Sequence, residues 1–112
     1  MTIREMAERL NAKVYAEDDQ LDTEVQGAFG SDMMRDVLAF AENRDVLITG
    51  LLNPQIVRTA HMQDMSCIVI VRGKSATAEI KSLAQQNHIA LLETALTMYE
   101  ASGILYEGGL GR

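Results

Sequence analysis

The chain has 112 residues, 47% of them hydrophobic and 23% charged, with a formal net charge of −6. That length holds one core and excludes two, and that balance of apolar and charged residues excludes a disordered, fibrous or coiled-coil chain. Sixteen acidic residues against ten scattered basic ones work against nucleic acid as a partner, because its phosphate backbone needs clustered Lys and Arg.

The longest purely apolar run, residues 67–71, falls far short of the roughly 20 residues that span a bilayer. The N-terminus opens directly into polar, periodic sequence, so neither a membrane segment nor a signal peptide is predicted. The single cysteine, Cys67, has no partner for an internal disulfide and lies in an apolar strand-like run. A reducing, cytoplasmic setting follows.

Thr2-Ile-Arg-Glu5 spells a capping box, and Ile3, Met6, Ala7 and Leu10 follow at helical spacing, which predicts a helix over residues 3–10. Residues 12–16 alternate and read as a short strand. The acidic Glu17-Asp18-Asp19 reads as an exposed turn before a second short strand near residues 25–29, the two strands flanking a hairpin-like or crossover entry.

From there the chain settles into loop, helix and apolar strand. Ser31 and Asp32 suit the start of a helix running to Ala41, followed by a strand at residues 46–49 that ends in Gly50. Asn53-Pro54 gives an N-cap with proline at the first helical position, opening a helix to about Met62. Residues 67–71 form the most apolar strand, and Arg72-Gly73-Lys74-Ser75 leads into a helix over residues 76–86. A last strand covers residues 89–92, and Thr97-Met-Tyr-Glu100 is a second capping box, opening a helix to about Leu105. The glycine-rich end is predicted to fray, with residues 111–112 a flexible tail beyond a single domain of residues 1–110.

Strands of four or five apolar residues alternating with helices of this length mark βαβ units. The predicted class is α/β, a three-layer α/β/α sandwich with a mostly parallel sheet of about four to five strands.

The loops Val25-Gln-Gly-Ala-Phe-Gly-Ser-Asp32, Asp45-Val-Leu-Ile-Thr-Gly50, Asn53-Pro-Gln-Ile-Val57 and residues 67–73, in this element order, resemble the DRTGG domain. The resemblance runs from Thr2 to about Leu110 and is greatest to short, stand-alone members related to the N-terminal domain of HPr kinase/phosphorylase. It implies a noncatalytic accessory or regulatory module that dimerises. It also implies, as an alternative, an accessory or assembly factor for a hydrogenase-type redox complex. The naming motif is altered: Leu51-Leu52-Asn53 stand where the family's Asp-Arg pair falls, and Arg72-Gly73-Lys74 replace its Thr-Gly-Gly.

Gly73-Lys74-Ser75 sits between a strand and a helix as the end of a P-loop does, but a P-loop needs a glycine at position 68, which is Ile68 within the strand. A small phosphotransferase, the third reading, therefore lacks its phosphate loop. His61 and His88 have no partner at metal-ligand spacing, and Cys67 has no neighbouring Cys or His. Asp32 and Asp36 share a helix face as a cation site or an acid and base pair would, yet Asp near a helix start is also the ordinary dipole-favoured choice. No catalytic residue, metal or cofactor is predicted.

What remains is the carboxyl edge of the parallel sheet, where helix N-termini gather and attract anions. Ser31, Thr49, Gly50, Asn53, Gly73, Lys74 and Ser75 are the candidate ligand-binding residues for an anionic metabolite or nucleotide. Lys74 is expected to supply the only nearby positive charge. The plain alternative is that Ser31, Asn53 and Ser75 only cap helices. Of seven methionines, most are predicted to fill the core, with one of Met33 and Met34 left outside it. A homodimer is the predicted assembly.

Overall fold

A computed structural model of the chain describes residues 1–111. In chain order it contains α1 (Ile3–Leu10), β1 (Lys13–Tyr15), a 3-10 turn (Asp18–Asp22), β2 (Ala28–Gly30), α2 (Met34–Phe40), β3 (Val46–Thr49), α3 (Gln55–Met62), β4 (Cys67–Ile70), α4 (Ala78–Gln86), β5 (Ala90–Glu93) and α5 (Met98–Glu107). Both capping boxes form. Thr2 accepts the Glu5 amide at 3.1 Å while the Glu5 carboxylate accepts the Thr2 amide at 3.0 Å, and Thr97 and Glu100 repeat the exchange at 3.2 and 3.0 Å.

The five strands make one sheet in the order β1-β5-β4-β3-β2, parallel throughout except for β1, which runs antiparallel on β5. Every residue of β3, β4 and β5 is buried, which is why these strands read as continuous apolar runs and not as alternating ones. Val46, Ile48, Cys67, Val69 and Leu92 pack under α1 and α5. Leu47, Ile68, Ile70 and Leu91 pack under α2, α3 and α4. The architecture is therefore the predicted three-layer sandwich. Truncating one of these fully buried strand residues, such as Ile68→Ala, removes about 2–5 kcal/mol of packing.

Several local expectations are corrected. The two early strands do not flank a common entry but sit at opposite edges of the sheet. The acidic turn is a 3-10 helix, and the helix expected from Ser31 begins at Met34. Residues 108–110 do not fray, because Leu110 is buried and its amide reaches the Leu105 carbonyl at 3.0 Å. Gly111 of the expected tail donates to the Gln26 carbonyl at 2.9 Å, and Arg112 lies outside the described residues. Met6, Met34 and Met65 are buried, while Met33 is 53% exposed. Among the described residues no helix is long and apolar enough to cross a membrane.

Candidate functional site

At the carboxyl edge the parallel strands end at Gly30, Thr49, Ile70 and Glu93, so the loops that follow lie side by side. The centre of this cluster is Gly50. Its amide donates to Asp32 Oδ1 at 2.7 Å, and Thr49 Oγ1 donates to the same oxygen at 3.1 Å. Thr49 Oγ1 also accepts the Leu51 amide at 3.1 Å. On its other side the Gly50 carbonyl accepts from Lys74 Nζ at 2.7 Å. A Cβ on Gly50 would stand 2.5 Å from Arg72 Nη2, so glycine here is what lets the Arg72 guanidinium lie against the backbone.

The loop after β4 is shaped by two left-handed residues in succession, Arg72 (φ 64°) and Gly73 (φ 70°). That turn points the Arg72 amide to the Leu96 carbonyl at 2.7 Å and the Gly73 amide to the Thr94 carbonyl at 2.9 Å. Thr94 Oγ1 in turn donates to the Leu10 carbonyl at 2.8 Å. Glu93, only 9% exposed, accepts the Ala76 amide at 2.7 Å just before α4.

Of the predicted residues, the structure brings together Thr49, Gly50 and Lys74, with Gly73 shaping the loop that carries Lys74. Ser31 and Asn53 stay local: the Ser31 hydroxyl accepts the Met33 amide at 2.9 Å, and Asn53 Oδ1 accepts the Gln55 amide at 2.8 Å. Ser75 caps nothing; Thr77, two residues on, accepts the Ile80 amide and starts α4. Lys74 is not the lone cation, since Arg72 shares its place. Sequence reasoning missed Arg72, Glu93 and the true work of Asp32. An acidic residue closing an otherwise apolar strand was the available signal for Glu93.

These contacts change what the edge can do chemically. The amides of Gly50, Gln55, Gly73 and Ala76 all have acceptors already, two of them the carboxylates of Asp32 and Glu93. An incoming anion finds no open amide cradle at these positions and meets instead the side chains of Arg72 and Lys74. Among the described residues the ion pairs are Met1–Glu24 and Arg4–Asp22, so neither cation has a carboxylate within 4.0 Å. Asp32, holding two donors on one oxygen, is spent on the strand end and not paired with Asp36. Burial pushes the Cys67 thiol well above its usual range, which removes it as a nucleophile.

The DRTGG domain matches residues 5–107. The chain belongs to the DRTGG domain family. Curated proteins give no match. Among solved structures, the CBS and DRTGG domains of the regulatory region of a Clostridium perfringens pyrophosphatase, complexed with the activator diadenosine tetraphosphate, align with a TM-score of 0.78 at 18% identity. The alignment covers 93% of this chain and 45% of that one, so this DRTGG chain spans less than half the length of its neighbour. At that identity the likeness is one of fold. Residues 51–53 and 72–74 border the same contact, where Arg72 and Lys74 close on Gly50.

Proposed function

We propose that this DRTGG domain is a noncatalytic regulatory module that senses a phosphate-bearing metabolite or nucleotide at the carboxyl edge of its sheet. The observation that carries the reading is the convergence of the Arg72 and Lys74 side chains on Gly50 with no carboxylate oxygen within 4.0 Å of either, the nearby Asp32 being held by the Thr49 hydroxyl and the Gly50 amide. The structural neighbour supports it, being a regulatory region complexed with a nucleotide activator. Recognition by side chains alone implies binding that weakens steeply with salt, since screening acts most on exposed charges. Lys74 gives up its bond to the Gly50 carbonyl, or shares it, when the anion arrives. No group at this edge is placed to activate a nucleophile, and the module turns nothing over.

The test is a thermal-shift titration with inorganic phosphate, ATP and diadenosine tetraphosphate at low and high salt. A ligand at one hundred times its dissociation constant adds about 2.7 kcal/mol to stability, which a melting curve resolves. Arg72→Asn is the cleanest variant, because asparagine tolerates the left-handed conformation that Arg72 occupies. Stabilisation by a phosphate compound that is lost in Arg72→Asn supports the reading. A protein that none of these compounds stabilises, or an Arg72→Asn variant that responds like the parent, overturns it and leaves protein contacts as the function.

A further inference from the structure

Lys81, on α4, carries a half-buried cation that no acceptor in the chain satisfies. Its Nζ lies 4.1 Å from the centroid of the Tyr15 ring on β1. An aromatic face attracts an ammonium, yet gives none of its three N–H groups a conventional acceptor. Among the described residues no carboxylate oxygen comes within 4.0 Å of Lys81, although Glu17 lines the same cavity. That cavity, of about 210 Å³, opens between β1, the 3-10 turn and α4, and Tyr15 and the buried Ala84 and Ile89 make its apolar wall. Gln20 adds a second donor. Its side-chain oxygen accepts the Glu17 amide at 2.8 Å, which leaves the NH2 end of the same group to be donated.

We propose that this cavity binds a small aromatic carboxylate, its ring against Tyr15, Ala84 and Ile89 and its carboxylate held by Lys81 and the Gln20 amide. A few placed donors beside an apolar wall are the ordinary make-up of a small-molecule site. The volume lies below the roughly 300–1,000 Å³ of sites for drug-sized ligands, which limits the occupant to about one ring. A flat ring suits the wall because it stacks on tyrosine. The carboxylate suits the donors because a charge-assisted bond is strong where water is partly excluded. One cation with Glu17 nearby favours a single negative charge over two, which sets this cavity apart from the carboxyl edge, where Arg72 and Lys74 converge. It also lies at the other end of the sheet: Ile89 precedes β5, whereas the loop that carries Gly50 follows the end of β3. The two sites share no residue, so neither depends on the other.

Amide NMR titrations of the full chain with benzoate, benzamide and acetate test the assignment, since benzamide keeps the ring without the charge and acetate the charge without the ring. Benzoate is expected to give saturable shifts centred on residues 15–20 and 81–89, and the other two to bind about tenfold more weakly or worse. Lys81→Met is expected to weaken benzoate by a similar factor, because it loses the charge but keeps an apolar stem beside Tyr15 and a good helix former in α4. Arg58→Met removes the same charge from an exposed position on α3 and leaves benzoate binding unchanged. Four results overturn the proposal: no saturable shift with benzoate, shifts centred on residues 72–74, benzamide or acetate equal to benzoate, or Lys81→Met no weaker than Arg58→Met.

Discussion

At the carboxyl edge of the sheet, polar groups from four loops are joined to one another, whereas on the outer face of α5 the exposed Tyr99 and Gly103 face outward and serve no contact that the chain needs. The two regions respond to substitution with opposite signs. Removing a group from the edge strands its partner inside the protein, and an orphaned buried donor or acceptor costs more than the bond itself contributed. Adding a side chain at Gly103 orphans nothing. Residues that hold the fold and residues that are free to hold something else are thus separated in space within one small domain.

The comparison breaks most sharply at Glu93. Glu93→Ala leaves the Ala76 amide buried without its acceptor, and a loss of about 2–3 kcal/mol is expected in urea denaturation. Glu93→Gln keeps an acceptor at the same distance and should lose clearly less; equal losses would mean that the bond is not what matters there.

Helix starts give an intermediate effect. Thr97→Ala should cost about 1 kcal/mol as an N-cap deletion. Acid should act at the same places, because the backbone and side chain of Thr97 and Thr2 hold the Glu100 and Glu5 carboxyls below their ordinary range. A depressed folded-state pKa stabilises above the unfolded value and loses that support as pH falls through the folded one. Relative to the intrinsic rate at each pH, the protection of amides in the first turns of α1 and α5 should therefore fall below the normal glutamate range and stay level above it. A loss of protection that begins near neutral pH would point to another group.

The smallest effect has the opposite sign. Gly103→Ala should raise stability by about 0.5–1 kcal/mol, the helix-propensity difference with no clash to offset it. A destabilised variant would show that Gly103 serves the fold after all.

What was legible in the sequence follows from the range over which each signal acts. Thr2 with Glu5 and Thr97 with Glu100 are three residues apart and exchange bonds within one turn, so their pattern is complete in the sequence. The strands of β3, β4 and β5 announce themselves because burial on both faces demands unbroken apolar runs. Asp32 and Glu93 did not, since each acts on an amide 17 or 18 residues away, and the one local hint is the apolar strand that Glu93 closes. Ser75 misled because it stands where a cap belongs, yet the loop runs two residues further before Thr77 begins the helix. Arg72 was passed over because its role depends on a left-handed backbone and on the bare Cα of Gly50, neither of which a residue type declares.

The placement of β1 sets the order in which the protein can assemble. β3, β4 and β5 each lie beside the strand that came before, so that part of the sheet grows in step with the chain. β1 is made before all of them but belongs against β5, and the bond from Thr94 to Leu10 joins residues 84 apart. Closing so long a loop is entropically the most demanding step, and long-range pairings of this kind set slow folding rates. The pairing of β1 therefore has to await β5, and the half of the core that holds Ile3, Met6 and Leu10 is closed by the two ends of the chain, α1 and α5, packing together.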